Sequence, residues 1–282
     1  MSGMRAARRQ GHWDLRAAGN FIGGGAGTGL LLAAALSAAM GAAFRLPLTA
    51  GLVLIAAGLS LVWLEIGRPW RALNVFFHPR TSWMTREGIM AGLTIPLGVA
   101  ALATDARPLV LAAALAGCGF LVCQAGILRA ARAIPAWRRR ELAGVILAAG
   151  AAEGAGLALL LPGAPRAVLI LALAAGVARE AAWSVYRVAS GRDPAAAGAV
   201  AAFAAPPARI ARTAQWIGLV LLALAVVPGV PAFAMAGGVL AFLAGAAMKA
   251  VLITRAGFTR AIALPAIPTR GGGGDARPVS AR

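Results

Sequence analysis

Apolar residues occur in eight long runs, and the stretches between these runs carry most of the arginine and proline. A bilayer core about 30 Å thick needs roughly 20 apolar residues of helix to cross it. The runs are of about that length, and none alternates between apolar and polar residues as a membrane β-strand does. The pattern therefore predicts eight transmembrane helices, at residues 17–43, 47–66, 88–104, 108–130, 141–161, 165–188, 212–230 and 232–254.

The links between the runs fall into two length classes, and glycine and proline interrupt most of them. Short and long links alternate along the chain, so consecutive helices are predicted to pair as four hairpins. Both termini and every long link then lie at one end of the bundle. The short links are 44–45, 104–107, 162–165 and 228–231, and the long links are 67–87, 131–140 and 188–211.

The composition excludes an ordinary soluble protein. Of the 282 residues, 60% are hydrophobic and 13% are charged, whereas a soluble domain has about 25% charged residues. The net charge of +18 comes from arginines spread through the links between apolar runs, a pattern that fits membrane topology better than nucleic-acid binding. Cys118 and Cys123 lie within one apolar run and cannot supply a disulfide framework or a four-ligand metal site.

The basic residues predict which end of the bundle faces the cytoplasm. Of the 27, three lie in short links, Arg45, Arg107 and Arg166, and two lie inside predicted helices, Arg179 and Lys249. The other 22 lie in the tails, the long links or the adjoining helix ends. Because cytoplasmic loops carry an excess of Lys and Arg, we expect both termini and all long links to be cytoplasmic.

The two ends of the chain are interpreted differently. The first apolar run is too long for a cleavable signal peptide and is not followed by a processing site, so it is counted as a helix of the bundle. The last residues are rich in glycine and arginine, a composition typical of flexible segments. We therefore divide the chain into one eight-helix domain, residues 1–265, and a flexible basic tail, residues 266–282.

Three ionisable residues stand out inside the predicted helices: Glu153, Arg179 and Glu180. At 1.5 Å per helical residue, Glu153 lies roughly 18 Å beyond Glu141 and thus near the middle of the membrane. Ionisable groups at that depth are costly and usually mark function. Two interpretations stay open: a proton path or ligand cavity, or an intramembrane ion pair that holds two helices together.

The link between the second and third runs reads WLEIGRPWRALNVFFHPRTSWMTREG, from Trp63 to Gly88, and is unusually polar. Thr85 is predicted to cap the third helix, with Glu87 complementing the helix dipole. The tryptophans are also compatible with simple anchoring at the membrane interface. Taken together, the residues predict a polar pocket at the membrane surface that includes Glu65, Glu87, Arg68, Arg86, His78 and Trp83.

The glycine-rich stretch at residues 23–29 resembles a dinucleotide-binding loop only superficially. It lies inside the first apolar run and no strand precedes it, so its context does not match that motif. Small residues within a membrane helix allow close approach of a neighbouring helix. We interpret the stretch as a packing surface.

Haem is not expected, and neither is a metal site. Membrane subunits that hold haem do so through axial ligands such as histidine. The two histidines, His12 and His78, lie in a terminal segment and a surface link, outside the predicted helices. Any redox role would then involve a diffusible, lipid-soluble carrier.

The 63–88 link resembles the corresponding link of the DmsC/NrfD family, the membrane anchor subunits of complex iron–sulfur molybdoenzymes. Three further segments support the resemblance: HWDLRAAGNFIGGGAGTG (12–29), QAGILRAARAIPAW (124–137) and ITRAGFTRAIALPAIPTRG (253–271). The eight-helix pattern also agrees, so the likeness covers most of the chain. It is greatest to the DmsC-like branch, which includes anchors of sulfite-oxidising and phenylacetyl-CoA-oxidising complexes.

This resemblance implies a haem-free anchor that binds quinone or quinol, either menaquinone or ubiquinone. A subunit with four iron–sulfur clusters would dock on it and connect it to a molybdopterin catalytic subunit. Within the DmsC-like branch, a histidine ending the second helix and a glutamate opening the third are associated with the quinol site. Glu87 matches that glutamate, whereas Glu65 stands at the histidine position. Residue 65 therefore offers a carboxyl group for proton exchange where the family offers an imidazole.

Quinone chemistry transfers two electrons and two protons, so the site needs hydrogen-bonding groups for both oxygens and a titratable group that leads to water. Glu87 and Glu65 are the expected catalytic residues. The expected quinone-binding residues, which include one from the first helix, are Asn20, Arg68, His78, Trp83 and Arg86.

The resemblance and the arginine distribution together predict a bacterial inner-membrane protein whose hydrophilic partners lie on the cytoplasmic side. The basic long links would suit an acidic face on the iron–sulfur subunit. Two alternatives stay open. One is a purely structural anchor without quinone chemistry, suggested by Glu65 in place of histidine. The other is a small-molecule or ion transporter that uses Glu153 and Arg179, although no repeat between the two halves of the chain supports it.

Overall fold

The computed structural model describes residues 3–5, 7–64, 76–227, 231–260 and 262–264. Within these ranges there are nine α-helices, eight of them long and apolar enough to cross a membrane, which confirms the predicted all-α membrane fold. The helices are α1 (Leu15–Ala39), α2 (Arg45–Trp63), α3 (Trp83–Thr104), α4 (Arg107–Ala130), α5 (Glu141–Ala158), α6 (Arg166–Gly191), α7 (Ala197–Ala204), α8 (Pro206–Val226) and α9 (Pro231–Thr254).

Two helices, α3 and α8, begin five or six residues earlier than the hydropathy pattern predicts. Helix α3 begins at Trp83 because the Ser82 side chain accepts a hydrogen bond from the Thr85 backbone N–H at 3.2 Å. Ser82, not Thr85, is therefore the cap. Helix α8 begins at Pro206, in a polar stretch before the apolar run, where proline suits the first turn.

The short helix α7 was not predicted. It is preceded by a 3₁₀ turn, Pro194–Ala196, and both lie in a link interpreted from the sequence as a loop. Asp193 opens the turn by accepting a hydrogen bond from the Ala195 backbone N–H at 3.0 Å. Asp193 also pairs with Arg139 at 2.8 Å. This ion pair joins two long links at the same end of the bundle.

The eight long helices pair as the link lengths predict, in the hairpins α1–α2, α3–α4, α5–α6 and α8–α9. Helices α1 and α5 pack on each other at the centre, and each also contacts α4 and α9. Their contact is backbone to backbone: a Cβ atom at Gly29 would collide with Gly150 and Gly154 of α5. The glycine-rich stretch thus serves helix packing, as small residues commonly do in membranes.

At the short-link end, tight turns reverse the chain. Gly41 and Gly163 have φ values of +72° and +77°, a left-handed conformation that glycine adopts without strain. Asp105 ends α3 with φ of 54°, and its carboxylate pairs with Arg45 at the start of α2. This exposed pair joins the first two hairpins.

At the long-link end, the N-terminal segment lies against the end of α9. The Gln10 side-chain amide donates to the carbonyls of Trp13 and Ile253, at 2.9 and 3.0 Å. Asp14 caps α1, and its hydrogen bonds with Arg16 hold the pKa of that carboxyl below its usual range. An antiparallel ribbon of β1 (Gly3–Arg5) and β2 (Ile262–Leu264) pairs Gly3 with Leu264.

Some predictions fall outside the described residues. Glu65 and Arg68 lie in the undescribed range 65–75, and the predicted tail, 266–282, also lies outside. These predictions are not developed further from the structure.

Candidate functional site

Asn20 and Glu87, both proposed from the sequence, lie side by side near the long-link end of the bundle. The Asn20 side-chain amide donates to Glu87 Oε1 at 3.2 Å, which joins α1 to α3. Asn20 is 3% exposed and Glu87 6%. From α4, the Gln124 side-chain amide donates to the backbone carbonyl of Asn20 at 3.1 Å. A buried carboxyl group is thus held within a small amide network.

The two side chains form one wall of a cavity of about 240 Å³. Its other walls are almost entirely apolar and come from α1, α2, α3, α4 and the segment before α1. An apolar cavity with a few convergent polar groups is the usual form of a small-molecule site. The lining residues are Trp13, Ala17, Asn20, Phe21, Val62, Met84, Glu87 and Ile127.

Trp13 gives this cavity a rigid aromatic wall. Its ring centroid lies 6.1 Å from that of Phe21 and 4.9 Å from that of Trp137. Trp137 is fully buried, and its indole N–H donates to the Leu252 carbonyl at 3.1 Å. Because the Gln10 amide also holds the Trp13 backbone, the position of the wall is fixed from both sides.

Three other residues proposed from the sequence do not line the cavity. The His78 side chain is exposed, and its carbonyl accepts hydrogen bonds from the turn at Thr81 and Ser82. Arg86 stacks on Trp83, with Cζ 4.4 Å from the ring centroid, and its guanidinium donates to two carbonyls of the 76–82 segment. Trp83 and Arg86 thus brace the link beside the cavity.

A second polar cluster lies deeper in the bundle and centres on Glu153. Lys249 Nζ donates to Glu153 Oε2 at 2.7 Å and to the Phe21 carbonyl at 3.0 Å. The side chain of Glu153 is fully buried and that of Lys249 is 3% exposed. This ion pair joins α5, α9 and α1.

Arg179 and Glu180, the other two intramembrane candidates, lie next to this pair on α6. Arg179 Nη1 donates to the Ala241 carbonyl at 2.7 Å, and the missing side chain of Gly245 leaves room for both Arg179 and Glu153. Glu180 pairs instead with Arg212 of α8 at 2.8 Å. The structure therefore brings the three predicted residues into one region but gives the carboxylates different partners.

Two adjacent glycines of α1 give each site its space. A Cβ at Gly24 would lie 2.5 Å from Gln124 Nε2 of the first site. A Cβ at Gly25 would collide with Lys249 Nζ of the second. Because these two positions carry no side chain, Gln124 and Lys249 approach α1 closely. They donate hydrogen bonds to the backbone carbonyls of Asn20 and Phe21.

The sequence analysis did not select Trp13, Gln124 or Lys249 as site residues. For Lys249 a signal was present, since it is a cation inside a predicted helix and its charge complements that of Glu153. Trp13 and Gln124 lie in two segments used for the family resemblance, yet no local pattern marks them as cavity residues. Their roles depend on contacts between distant segments.

Comparison with protein-family models and with curated proteins finds no match to this chain. The described residues contain no group of three or more His, Cys, Asp and Glu side chains that could hold a metal ion. The two described sites bring together carboxyl, amide, guanidinium and ammonium groups.

Proposed function

We propose that the Asn20–Glu87 cavity binds the head group of a membrane quinone or quinol. The observation that carries this proposal is a buried carboxyl–amide pair in the wall of an otherwise apolar cavity of about 240 Å³. A quinone head is flat and apolar with two opposed oxygens. Trp13 offers it an aromatic surface, and Glu87 and Asn20 offer hydrogen bonds.

The polar atoms of the cavity suit a quinol. The Glu87 carboxylate accepts hydrogen bonds, and Asn20 Oδ1 is a buried acceptor without a partner in the described protein. A quinol carries two hydroxyl donors. Its oxidation to quinone releases two electrons, which pass to the cluster-bearing partner subunit proposed below, and two protons. The Glu87 carboxylate takes one proton from a hydroxyl, and the second proton passes to water at the mouth of the cavity. Reduction reverses the step, with the Glu87 carboxyl returning that proton to the quinone oxygen.

We propose further that the chain is the membrane anchor of a molybdopterin and iron–sulfur oxidoreductase in a bacterial inner membrane. The support is the resemblance of residues 12–29, 63–88, 124–137 and 253–271 to DmsC-like anchors. The cavity lies at the long-link end, where the arginines concentrate. With that end facing the cytoplasm, the cluster-bearing partner docks there and exchanges electrons with the quinone.

The two alternatives from the sequence predict different behaviour. A purely structural anchor needs no quinone cavity, whereas the described structure has an apolar cavity with a buried carboxyl group in its wall. A solute transporter centred on Glu153 needs room for its substrate. The cavity beside that cluster is about 40 Å³, which holds water molecules rather than an organic solute. Quinone binding therefore has the stronger support.

Binding is tested by titrating the purified protein with short-chain ubiquinone and menaquinone analogues and measuring quenching of tryptophan fluorescence. We expect saturable quenching that is largely lost in W13F. Glu87→Gln should weaken binding about tenfold, because a hydrogen bond to a charged group contributes roughly 1.5–3 kcal/mol. Glu141→Gln, at the partly exposed start of α5, is the matched control. Quenching that does not saturate would reject quinone binding.

The anchor role is tested separately, by purifying the tagged protein from its native membranes under mild detergent. Co-elution of a subunit rich in iron and of a subunit containing molybdenum is expected. Elution without either metal would reject the anchor role but leave quinone binding to the titration. Uptake of solutes by vesicles that contain this chain alone would instead favour transport.

A further inference from the structure

Three buried polar atoms near the Glu153–Lys249 pair have no hydrogen-bond partner in the described protein: Glu153 Oε1, Arg179 Nη2 and Gln215 Oε1. They comprise two acceptors and one donor. A buried polar atom left unpaired costs about 1–3 kcal/mol, and ordered water usually satisfies such atoms. One water molecule donates two hydrogen bonds and accepts others, so this set of atoms suits bound water.

A cavity for that water lies beside the ion pair, between α5, α6, α8 and α9. Its volume is about 40 Å³, and Arg179, Gln215 and Lys249 form part of its wall. One water molecule needs at least roughly 10–15 Å³ of such volume. The cavity therefore has room for a few water molecules next to the buried pair.

The cavity also reaches a more exposed ion pair. Glu180 and Arg212 line it and bind each other at 2.8 Å. Their side chains are 10% and 34% exposed, whereas the Glu153 side chain is fully buried. Arg212 lies two turns into α8, towards the long-link end. Charged and polar side chains thus extend from the centre of the bundle towards that end.

On its opposite side the cluster is closed by α1. Lys249 Nζ contacts the Phe21 carbonyl, and a Cβ at Gly25 would lie 3.3 Å from Gly150 Cα of α5. Helices α1 and α5 are therefore in close backbone contact beside the cluster. The cavity lies on the other side of the cluster, where Lys249, the partner of Glu153, and Gly245, next to Glu153 Oε1, form part of its wall.

We propose that Glu153 exchanges protons with water at the long-link end, through the cavity and past the Glu180–Arg212 pair. Uptake of one proton from water forms the O–H bond of a carboxylic acid, and Lys249 stays an ammonium group. Release of that proton to water restores the ion pair, and no electron moves. This activity belongs to a site separate from the Asn20–Glu87 cavity and does not depend on quinone binding.

The groups around Glu153 define what its protonation responds to. The charged groups that face it within the described structure are Lys249 from α9 and Arg179 from α6. The neighbouring parts of α1 and α4 contribute Gly25 and Leu121, packed against Gly150. Protonation of Glu153 thus removes the negative charge that faces the two cations, Lys249 and Arg179.

The test is infrared difference spectroscopy on the full-length protein in lipid nanodiscs, between mildly acidic and mildly alkaline buffer. We expect a carboxylic-acid C=O band that appears on acidification and shifts on transfer to D₂O. The band should be absent from E153Q and retained in E87Q. Should E153Q not fold, the variant E153Q/K249M provides the assignment, because it removes both members of the ion pair and leaves no Lys249 ammonium group without its partner.

The route is tested in the otherwise wild-type protein by partly filling the cavity. Ala149→Val adds two methyl groups at its wall and should slow deuterium exchange at Glu153 several-fold. Ala148→Val, one residue earlier on α5 and outside the lining, is the matched control. A Glu153 carboxylate that keeps one infrared signature over the whole pH range would overturn the proposal. Equal exchange rates in the two valine variants would overturn the route.

Discussion

Lys249 of α9 and Glu153 of α5 form a buried ion pair with an N–O distance of 2.7 Å, and the same ammonium group donates to the Phe21 carbonyl of α1. One side chain therefore links three helices that are far apart in the sequence. The side chains of Lys249 and Glu153 are 3% and 0% exposed, so bulk water solvates neither charge. The pair is consequently more important for stability than the exposed ion pairs at the helix ends.

Replacing Lys249 with Met should destabilise the protein by about 3 kcal/mol or more, because Glu153 would keep a buried charge without its partner. Unfolding in mixed micelles of increasing denaturing detergent measures this loss. The double variant E153Q/K249M should recover at least half of it. A double variant no more stable than K249M would show that the pair does not account for the effect.

Gly25→Ala should destabilise the protein by about 1–3 kcal/mol, the usual cost of overpacking. The added methyl group would occupy the position of Lys249 Nζ. Gly92→Ala on α3 is a matched control, since nothing lies within 4 Å of its added Cβ. Thermal unfolding of both variants should show a lower midpoint for G25A alone, and equal midpoints would contradict the described contact.

Trp13→Ala should weaken the binding of a quinone analogue about tenfold, because the cavity would lose its aromatic wall. The measurement is displacement of a labelled quinone-site inhibitor, which does not rely on tryptophan emission. Trp216→Ala on α8 is the control, since that side chain is half exposed and does not line the cavity. Similar losses in both variants would point to a general effect on the bundle.

His78→Ala should leave affinity for quinone analogues within about twofold of wild type. The side chain is exposed and does not line the cavity, and the turn is held by the backbone carbonyl of residue 78. The same inhibitor displacement measures this, with E87Q as the sensitive comparison. A tenfold loss in H78A would return His78 to the binding site expected from the sequence.

Apolar run length was sufficient to predict the eight long helices and their hairpins, because crossing a bilayer requires about 20 consecutive apolar residues. Run length was less informative about the residues at which the helices begin and end. Ser82 begins α3 through a local hydrogen bond, and Pro206 begins α8 outside the apolar run. Helix α7 escaped prediction because it is only eight residues long and lies within a link.

The site was predictable in part. Burial cost alone indicated Glu153 and Arg179, and the family resemblance indicated Glu87. The partners were not predictable, because Lys249 meets Glu153 across 96 residues of sequence and Asn20 meets Glu87 across 67. Such pairing depends on how whole helices pack, which single-sequence hydropathy does not specify.

The link between Glu153 and Lys249 also has a consequence for biogenesis. Ribosomes release the chain from its N-terminus, so α5 and the other long helices that precede α9 are made before it. Until α9 is inserted, Glu153 lacks Lys249 as its ion-pair partner. A nascent chain stopped before residue 231 would therefore hold Glu153 within the bilayer without its ion-pair partner, a feature that membrane quality-control proteases can recognise.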